Sequence, residues 1–365
     1  MRDKTEVRAS DQRRVLVLGG TGFIGTHVCA AFAAAGYDVL AAARRAAPDL
    51  VTGVAPGGVT GAATGMAPSG VTGGVTGGVT GAVPGVRFAT LDAADGAAVT
   101  GLLRVERPDL VVNAAGAVWD HDESRVLSSN VTLVQRLVAA LVAHPRPISL
   151  VHLGSSTEYG PQPRGVPLRE DTPARPVSHY ARGKLRATEV VLRAFEDGGL
   201  GGAVLRLCQV IGPGQPAQSL LGQVADALTR RDGRGVELTL GSLRDVRDVV
   251  DVRDAAGAVL AAARMAPGPR RVVNIGRGTA VSVRDLVERF IAVAGVPATV
   301  HELEHSRATR SAGIAWEQTD VTAAREILGW TPRWPIDETL GDLWRTAGTR
   351  PSSGHRGAFQ PLPQH

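Results

Sequence analysis

Apolar residues along this chain gather in short continuous runs, and between the runs they recur at helical spacing. Val15–Leu18, Val39–Ala43, "VRFATLD", "DLVVNAAG", "ISLVHLGSS" and "GAVLRLCQVIG" are such runs. A strand covered on both faces of a parallel sheet reads as a continuous apolar run rather than an alternating one. Ile24 to Ala35 has helix-forming composition and stops at Gly36, a residue suited to end a helix. Further helices are predicted around 96–106, over 123–143 and over "SHYARGKLRATEVVLRAF". Strands alternating with helices at this rhythm predict an α/β fold, a doubly wound parallel sheet, opened by a βαβ unit at residues 14–43.

Two stretches break the rhythm. Residues 50–86 carry no charge and repeat "VTG" in "GVTGGVTGGVTGAVPG". Such glycine density cannot build a packed core, so 46–85 reads as a flexible insert in a surface loop. After residue 212 the breakers "GPGQP", "GPRR" and "GWTPRWP" interrupt the pattern. The expected organisation is a tail over 1–12, a nucleotide-binding domain over 13–211, and a smaller lobe over 212–345. Segments of about 246–275 return from that lobe to the main sheet, and 346–365 form a flexible tail.

Composition narrows the function classes. With 365 residues, 44% hydrophobic and 21% charged, the chain is an ordinary globular protein. The net charge of +5 is mostly arginine, but the arginines are scattered rather than set in a stripe, which argues against nucleic acid. No run of about 18 apolar residues could span a membrane. The polar start "MRDKTEVRASDQRR" is no secretory signal, so the expected location is the cytoplasm. Cys29 and Cys208 form neither a metal-ligand nor a disulfide pattern and read as small buried hydrophobes; no metal is expected.

Chemistry is concentrated in three places. "GGTGFIG" (Gly19, Gly20, Thr21, Gly22, Phe23, Ile24, Gly25) lies between a predicted strand and a predicted helix. Glycines there permit a tight turn and let backbone N–H groups approach a pyrophosphate at the helix N-terminus. In "YARGK", Tyr180 and Lys184 are four residues apart and share one helix face. An ammonium beside a phenol favours the phenolate, which suits acid–base work. Ser155 ends a predicted strand in "LGSSTEYG", where its hydroxyl could bind the oxygen that Tyr180 protonates.

Together these motifs resemble those of the extended short-chain dehydrogenases/reductases, the NAD-dependent epimerase/dehydratase superfamily. "NAAG" (113–116), Asp92, Asn130 in "SNVTLV", "LRLCQVIGPG", "RDVVDVRDAA", "VVNIGRG" and "REILGWTPRWPIDETL" follow in that family's order, over roughly residues 13–345 apart from the insert. The resemblance implies a Rossmann-like fold, a smaller substrate lobe, a nucleoside-diphosphate sugar as substrate, and a homodimer. It implies that Tyr180 is the acid/base, that Lys184 assists it and holds the nicotinamide ribose, and that Ser155 positions the reacting oxygen. Ala114, Ala115, Gly116, Asn130, Gln209 and Val210 would line the cofactor, with Asp92 near the adenine. Ser155, Ser156, Glu158, Gln209 and Arg247 would face the sugar nucleotide.

Three family reactions compete: 4-epimerisation, 4,6-dehydration and 4-keto reduction. Dehydratases of the family carry an Asp-Glu pair where this chain has Ser156 and Thr157, which disfavours dehydration. The second strand ends in "AAARR" with no acid before Asp49, although NAD readers place an acid there for the ribose 2′-OH. Arg44 and Arg45 are either solvated residues at a loop start or a fork for a 2′-phosphate. The second reading makes NADPH the cofactor, with NAD the alternative, and favours net reduction. "GSSTEYG" with "VRDVVDVRD" also resembles reductases of nucleotide-linked 4-keto-6-deoxyhexoses. Gln209 departs from the asparagine of many epimerases. The expected activity is therefore an NADPH-dependent 4-ketoreductase of a nucleotide-linked 4-keto-6-deoxyhexose, with dTDP the expected nucleotide; the alternatives are an NAD-dependent 4-epimerase and, behind it, a 4,6-dehydratase or a non-catalytic NADP sensor.

Overall fold

The computed structural model describes residues 12–44, 83–116, 124, 126, 128–230, 235–265, 272–303 and 313–347. The insert up to residue 82, Arg45, and the chain ends before 12 and after 347 lie outside the described residues.

Strands β1 (Arg14–Leu18), β2 (Asp38–Ala43), β3 (Val86–Thr90), β4 (Leu110–Asn113), β5 (Ser149–Ser155), β6 (Gly201–Leu207) and β10 (Val272–Ile275) form a seven-stranded sheet in the order β10-β6-β5-β4-β1-β2-β3. Every pairing in it is parallel. The order reverses between β1 and β4, which opens a crevice beyond the C-terminal strand ends, the usual ligand position in such sheets.

Helix α1 (Phe23–Ala34) packs on one face of the sheet with α6 (Val252–Ala262). Helices α2 (Gly96–Glu106), α3 (Leu133–Val142) and α4 (His179–Glu196) cover the other. Buried residues such as Val28, Phe32, Ala255 and Val259 fill the first layer, and Leu103, Leu137, Val191 and Phe195 the second. Full burial of each such aliphatic or aromatic side chain contributes about 1.5–3 kcal/mol, so the two layers dominate what holds the sheet between its helices. Both cysteines are buried.

The expected helix over 123–143 carries a π-helical turn at Ser128–Thr132, with α-helix at Ser124 and Val126 before it and over Leu133–Val142 after it. Wide turns of this kind are most often found at functional sites, and this one holds Asn130.

The second lobe has its own core of Leu221, Val224, Leu286, Phe290, Leu340 and Leu343. It is built from α5 (Leu220–Thr229), α7 (Val283–Ala294) and α9 (Ile336–Ala347) around small sheets. In one of these, β7 (Gln209–Ile211) pairs with β9 (Val246–Asp251), and β9 with β11 (Ala280–Ser282). In the other, β8 (Val236–Leu240) pairs with β12 (Ala298–Glu302). Thus β9 stays in the second lobe, whereas α6 and β10 rejoin the first. Helix α8 (Thr322–Leu328) completes the elements. No helix among the described residues is long and apolar enough to cross a membrane.

Candidate active site

The site begins where β1 stops. Gly19 takes φ +75°, a conformation that disfavours residues with a Cβ, and its N–H bonds to the Ala42 carbonyl at 2.8 Å. A Cβ on Gly19 would lie 2.8 Å from the Ala114 carbonyl oxygen, and one on Gly25 would lie 2.0 Å from the Gly19 oxygen. The turn therefore packs directly between the end of β4 and the first turn of α1. Gly22 is the extended N-cap of α1 and contributes no side-chain cap, and the first turn holds no acidic residue. The first-turn amides and the positive end of the helix dipole are thus left for an external anion. These free amides at the helix N-terminus fit the diphosphate of a dinucleotide.

Other expected cofactor residues stand along the same edge. Arg44 is exposed directly after β2, while Arg45 is outside the described residues. Asp92 is exposed after β3, its carboxylate accepting the Ala94 N–H at 3.0 Å. Ala114, Ala115 and Gly116 follow β4. Asn130 is buried behind them: its Nδ2 donates to the Val126 carbonyl at 3.0 Å, and a Cβ on Gly116 would fall 2.5 Å from its Oδ1. Its amide oxygen thus lies close against the Gly116 backbone.

Ser155 is the last residue of β5, in register with Leu207. Its hydroxyl lies 2.8 Å from that of Thr157. Helix α4 starts at the Ser178 cap, which accepts the Ala181 N–H. Its buried stripe runs through Tyr180, Lys184, Ala187, Val191 and Phe195, so the two polar residues extend the stripe that makes the core. Lys184 Nζ donates to the Leu153 carbonyl on β5. Tyr180, one turn earlier, lies nearer the sheet edge where Ser155 sits, because α4 runs antiparallel to the strands it connects. The neighbouring His152 is fully buried, with Nδ1 3.1 Å from Asn113 Nδ2. Burial first, and the Lys184 charge second, push its pKa well below 6.5, so His152 is neutral.

On the substrate side, the Ser156 hydroxyl donates to Glu317 Oε1 at 2.8 Å, both residues buried. Gln209, half-buried, opens β7, and the buried Val210 follows it. Arg247 on β9 is buried, pairs with Asp245 at 2.6 Å and donates to the Val246 carbonyl.

Glu158 departs from the expected placement beside the sugar. It is 0% exposed, and its carboxylate is occupied by the Ser155 N–H, the Thr188 hydroxyl and Arg206. A lone acid next to Tyr159 looks available in sequence, but the short helical turn Ser156–Tyr159 folds it inward.

Thr188, Arg206 and Glu317 were not legible as parts of this site. Only Arg206 carried a signal: a charge inside the apolar run "GAVLRLCQVIG" must find a buried partner.

Residues 15–276 match the model of the NAD dependent epimerase/dehydratase family. The chain belongs to that family. Among curated relatives, it is 41% identical over 342 residues to the dTDP-6-deoxy-L-talose 4-dehydrogenase (NAD(P)(+)) of Kitasatospora kifunensis, covering 93% of this chain and 96% of the relative. It is 31% identical over 262 residues to the UDP-glucose 4-epimerase of Mycolicibacterium smegmatis, covering 69% and 80%. Among solved structures, MoeE5 in complex with UDP-glucuronic acid and NAD superposes with a TM-score of 0.73 at 26% identity, covering 91% of this chain and 98% of that one. RMD from Pseudomonas aeruginosa, complexed with NADPH, shares the fold with a TM-score of 0.70 at 21% identity, covering 92% and 98%. The family's Rossmann-like architecture is the seven-stranded parallel sheet described above.

Proposed function

We propose that this protein is an NADPH-dependent 4-ketoreductase acting on a dTDP-linked 4-keto-6-deoxyhexose, in the cytoplasm and as a homodimer. The observation that carries the reading is the 41% identity, over nearly the whole of both chains, to a dTDP-6-deoxy-L-talose 4-dehydrogenase. A 4-dehydrogenase and a 4-ketoreductase exchange the same hydride at the same carbon in opposite directions. Arg44 at the end of β2, where an acid would favour NAD, supports NADPH.

When bound, the dinucleotide supplies the hydride that reaches sugar C4. Tyr180 gives its phenolic proton to the C4 oxygen, so that ketone, hydride and proton balance as a secondary alcohol. The Ser155 hydroxyl donates to the same oxygen and fixes its direction. Lys184, held by the Leu153 carbonyl, shares a helix face with Tyr180 and would hold the nicotinamide ribose. Gln209 and Val210 would border the nicotinamide and sugar, and Ser156 and Arg247 the sugar nucleotide.

The second reading is an NAD-dependent nucleotide-sugar 4-epimerase, favoured by the 31% identity to a UDP-glucose 4-epimerase. The oxidative direction separates the two. With dTDP-6-deoxyhexoses and NADP+, a dehydrogenase yields a product two hydrogens lighter with equimolar NADPH. An epimerase yields an isomer of unchanged mass and no net NADPH, and that outcome would replace the ketoreductase reading.

A further inference from the structure

The buried Glu158 has three partners, and each belongs to an element that carries part of the reaction. Its Oε1 accepts the Ser155 N–H at 2.8 Å and the Thr188 hydroxyl at 3.1 Å; its Oε2 accepts Arg206 Nε at 2.8 Å. Thr188 lies on α4 one turn beyond Lys184, itself one turn beyond Tyr180, so all three share a face. Arg206 lies on β6, paired in register with Gly154, three residues before Gln209. We infer that Glu158 is a positioning residue that sets Ser155 against the helix bearing Tyr180 and Lys184. The inference rests on the catalytic roles proposed above for those three residues.

The geometry brackets Ser155 from both sides. Two residues before it, the Leu153 carbonyl receives Lys184; three residues after it, Glu158 receives Thr188. The strand end is therefore fastened to the same helix at two successive turns. Glu158 bonds the main-chain N–H of Ser155 rather than its hydroxyl, which leaves that hydroxyl to Thr157 and to a substrate oxygen. Gly154 makes the approach possible, since a Cβ there would lie 2.8 Å from Glu158 Oε1.

Stability alone gives little reason for such a cluster. A buried ion pair often does no better than apolar residues of the same volume, because both ions lose their hydration. Here the guanidinium carbon of Arg206 also sits 4.4 Å from the centre of the Tyr159 ring, whose hydroxyl donates to Asn274 Oδ1 at 2.7 Å. Glu158 is thus bonded from β5, α4 and β6 together, with Arg206 also held over the Tyr159 ring, which makes the carboxylate a fixed point. What it fixes is distance, and hydride and proton transfer are sensitive to distance.

Thr188 offers the mildest cut, since Thr188→Val keeps the volume and removes only the hydroxyl that ties α4 to Glu158. Thr188→Ser keeps the hydroxyl and removes a methyl. Kinetics are measured at saturating cofactor on whichever reaction the wild type runs, ketone reduction or hexose interconversion, so failure of the ketoreductase reading leaves this test intact. Thr188→Val is expected to lower kcat about tenfold or more with KM changed less than about twofold, and Thr188→Ser to recover most of the loss. Glu158→Gln is expected to behave like Thr188→Val, with a larger loss. If the wild type runs neither reaction, deuterium exchange on the NADP+-loaded protein decides instead: the Ser155 amide exchanges faster in Thr188→Val and at the wild-type rate in Thr188→Ser. Equal kcat, or equal exchange, in the Val and Ser variants would overturn the inference, as would a loss of thermal stability in Thr188→Val with kcat unchanged.

Discussion

Lys184 donates to the main-chain carbonyl of Leu153, two residues ahead of Ser155. One side chain thus serves as a structural tie and as the charge beside Tyr180. Its loss should therefore differ in kind from loss of the phenol. Tyr180→Phe removes a hydroxyl and leaves the Lys184–Leu153 tie in place, and should lower kcat by about a thousandfold while cofactor affinity stays near wild type. Lys184→Met should lower kcat by about a hundredfold and melting temperature as well. Calorimetric cofactor titration and thermal melts of the two variants, side by side, check the contrast.

The glycine turn makes a steric prediction. A Cβ on Gly25 would overlap the Gly19 oxygen at 2.0 Å, and Gly19 in turn packs against the backbone of Ala114 and Ala115. Gly25→Ala should cost more than about 2 kcal/mol of stability and abolish dinucleotide binding. Denaturant unfolding and a binding titration would show it. A stable variant with normal affinity would mean that the turn adapts.

Arg44 is exposed directly after β2. If it reads a 2′-phosphate, Arg44→Ala should weaken NADPH binding about tenfold or more and leave NADH binding nearly unchanged. Fluorescence titration with both cofactors measures the ratio. An equal effect on both would return Arg44 to the solvent.

His152 predicts a pH dependence of stability. Burial, then the charge of Lys184, depresses its folded pKa well below 6.5. The unfolded chain takes up the proton as pH falls below about 6.5 and the native one does not, so this residue's contribution declines by about 1.4 kcal/mol per pH unit below that point. His152→Gln should flatten the slope of unfolding free energy between about pH 6.5 and the folded pKa. Parallel slopes in wild type and variant would contradict the assignment.

The first half of the fold was legible because strands of a parallel sheet are buried on both faces, which leaves runs such as Val15–Leu18 uninterrupted. The glycine turn and the Tyr180–Lys184 pair were legible because each is a short pattern in sequence, glycines at fixed offsets between a strand and a helix and two residues one helical turn apart. What stayed hidden depends on distant partners. Glu158 meets Thr188 and Arg206 across 30 and 48 residues, and no spacing rule links them. Ser156 meets Glu317 across 161. The π-helical turn before Leu133 was hidden for a different reason: such a turn keeps helical composition and shifts only the register.

The central claim is a net reduction at C4, and the direct measurement is nicotinamide absorbance. Purified protein is mixed with NADPH and a dTDP-4-keto-6-deoxyhexose, and the sugar nucleotide is analysed afterwards. The account predicts NADPH consumption equal to the alcohol formed, and none with Tyr180→Phe. Unchanged NADPH, together with interconversion of UDP-hexoses by the same preparation, would contradict it and establish the epimerase reading.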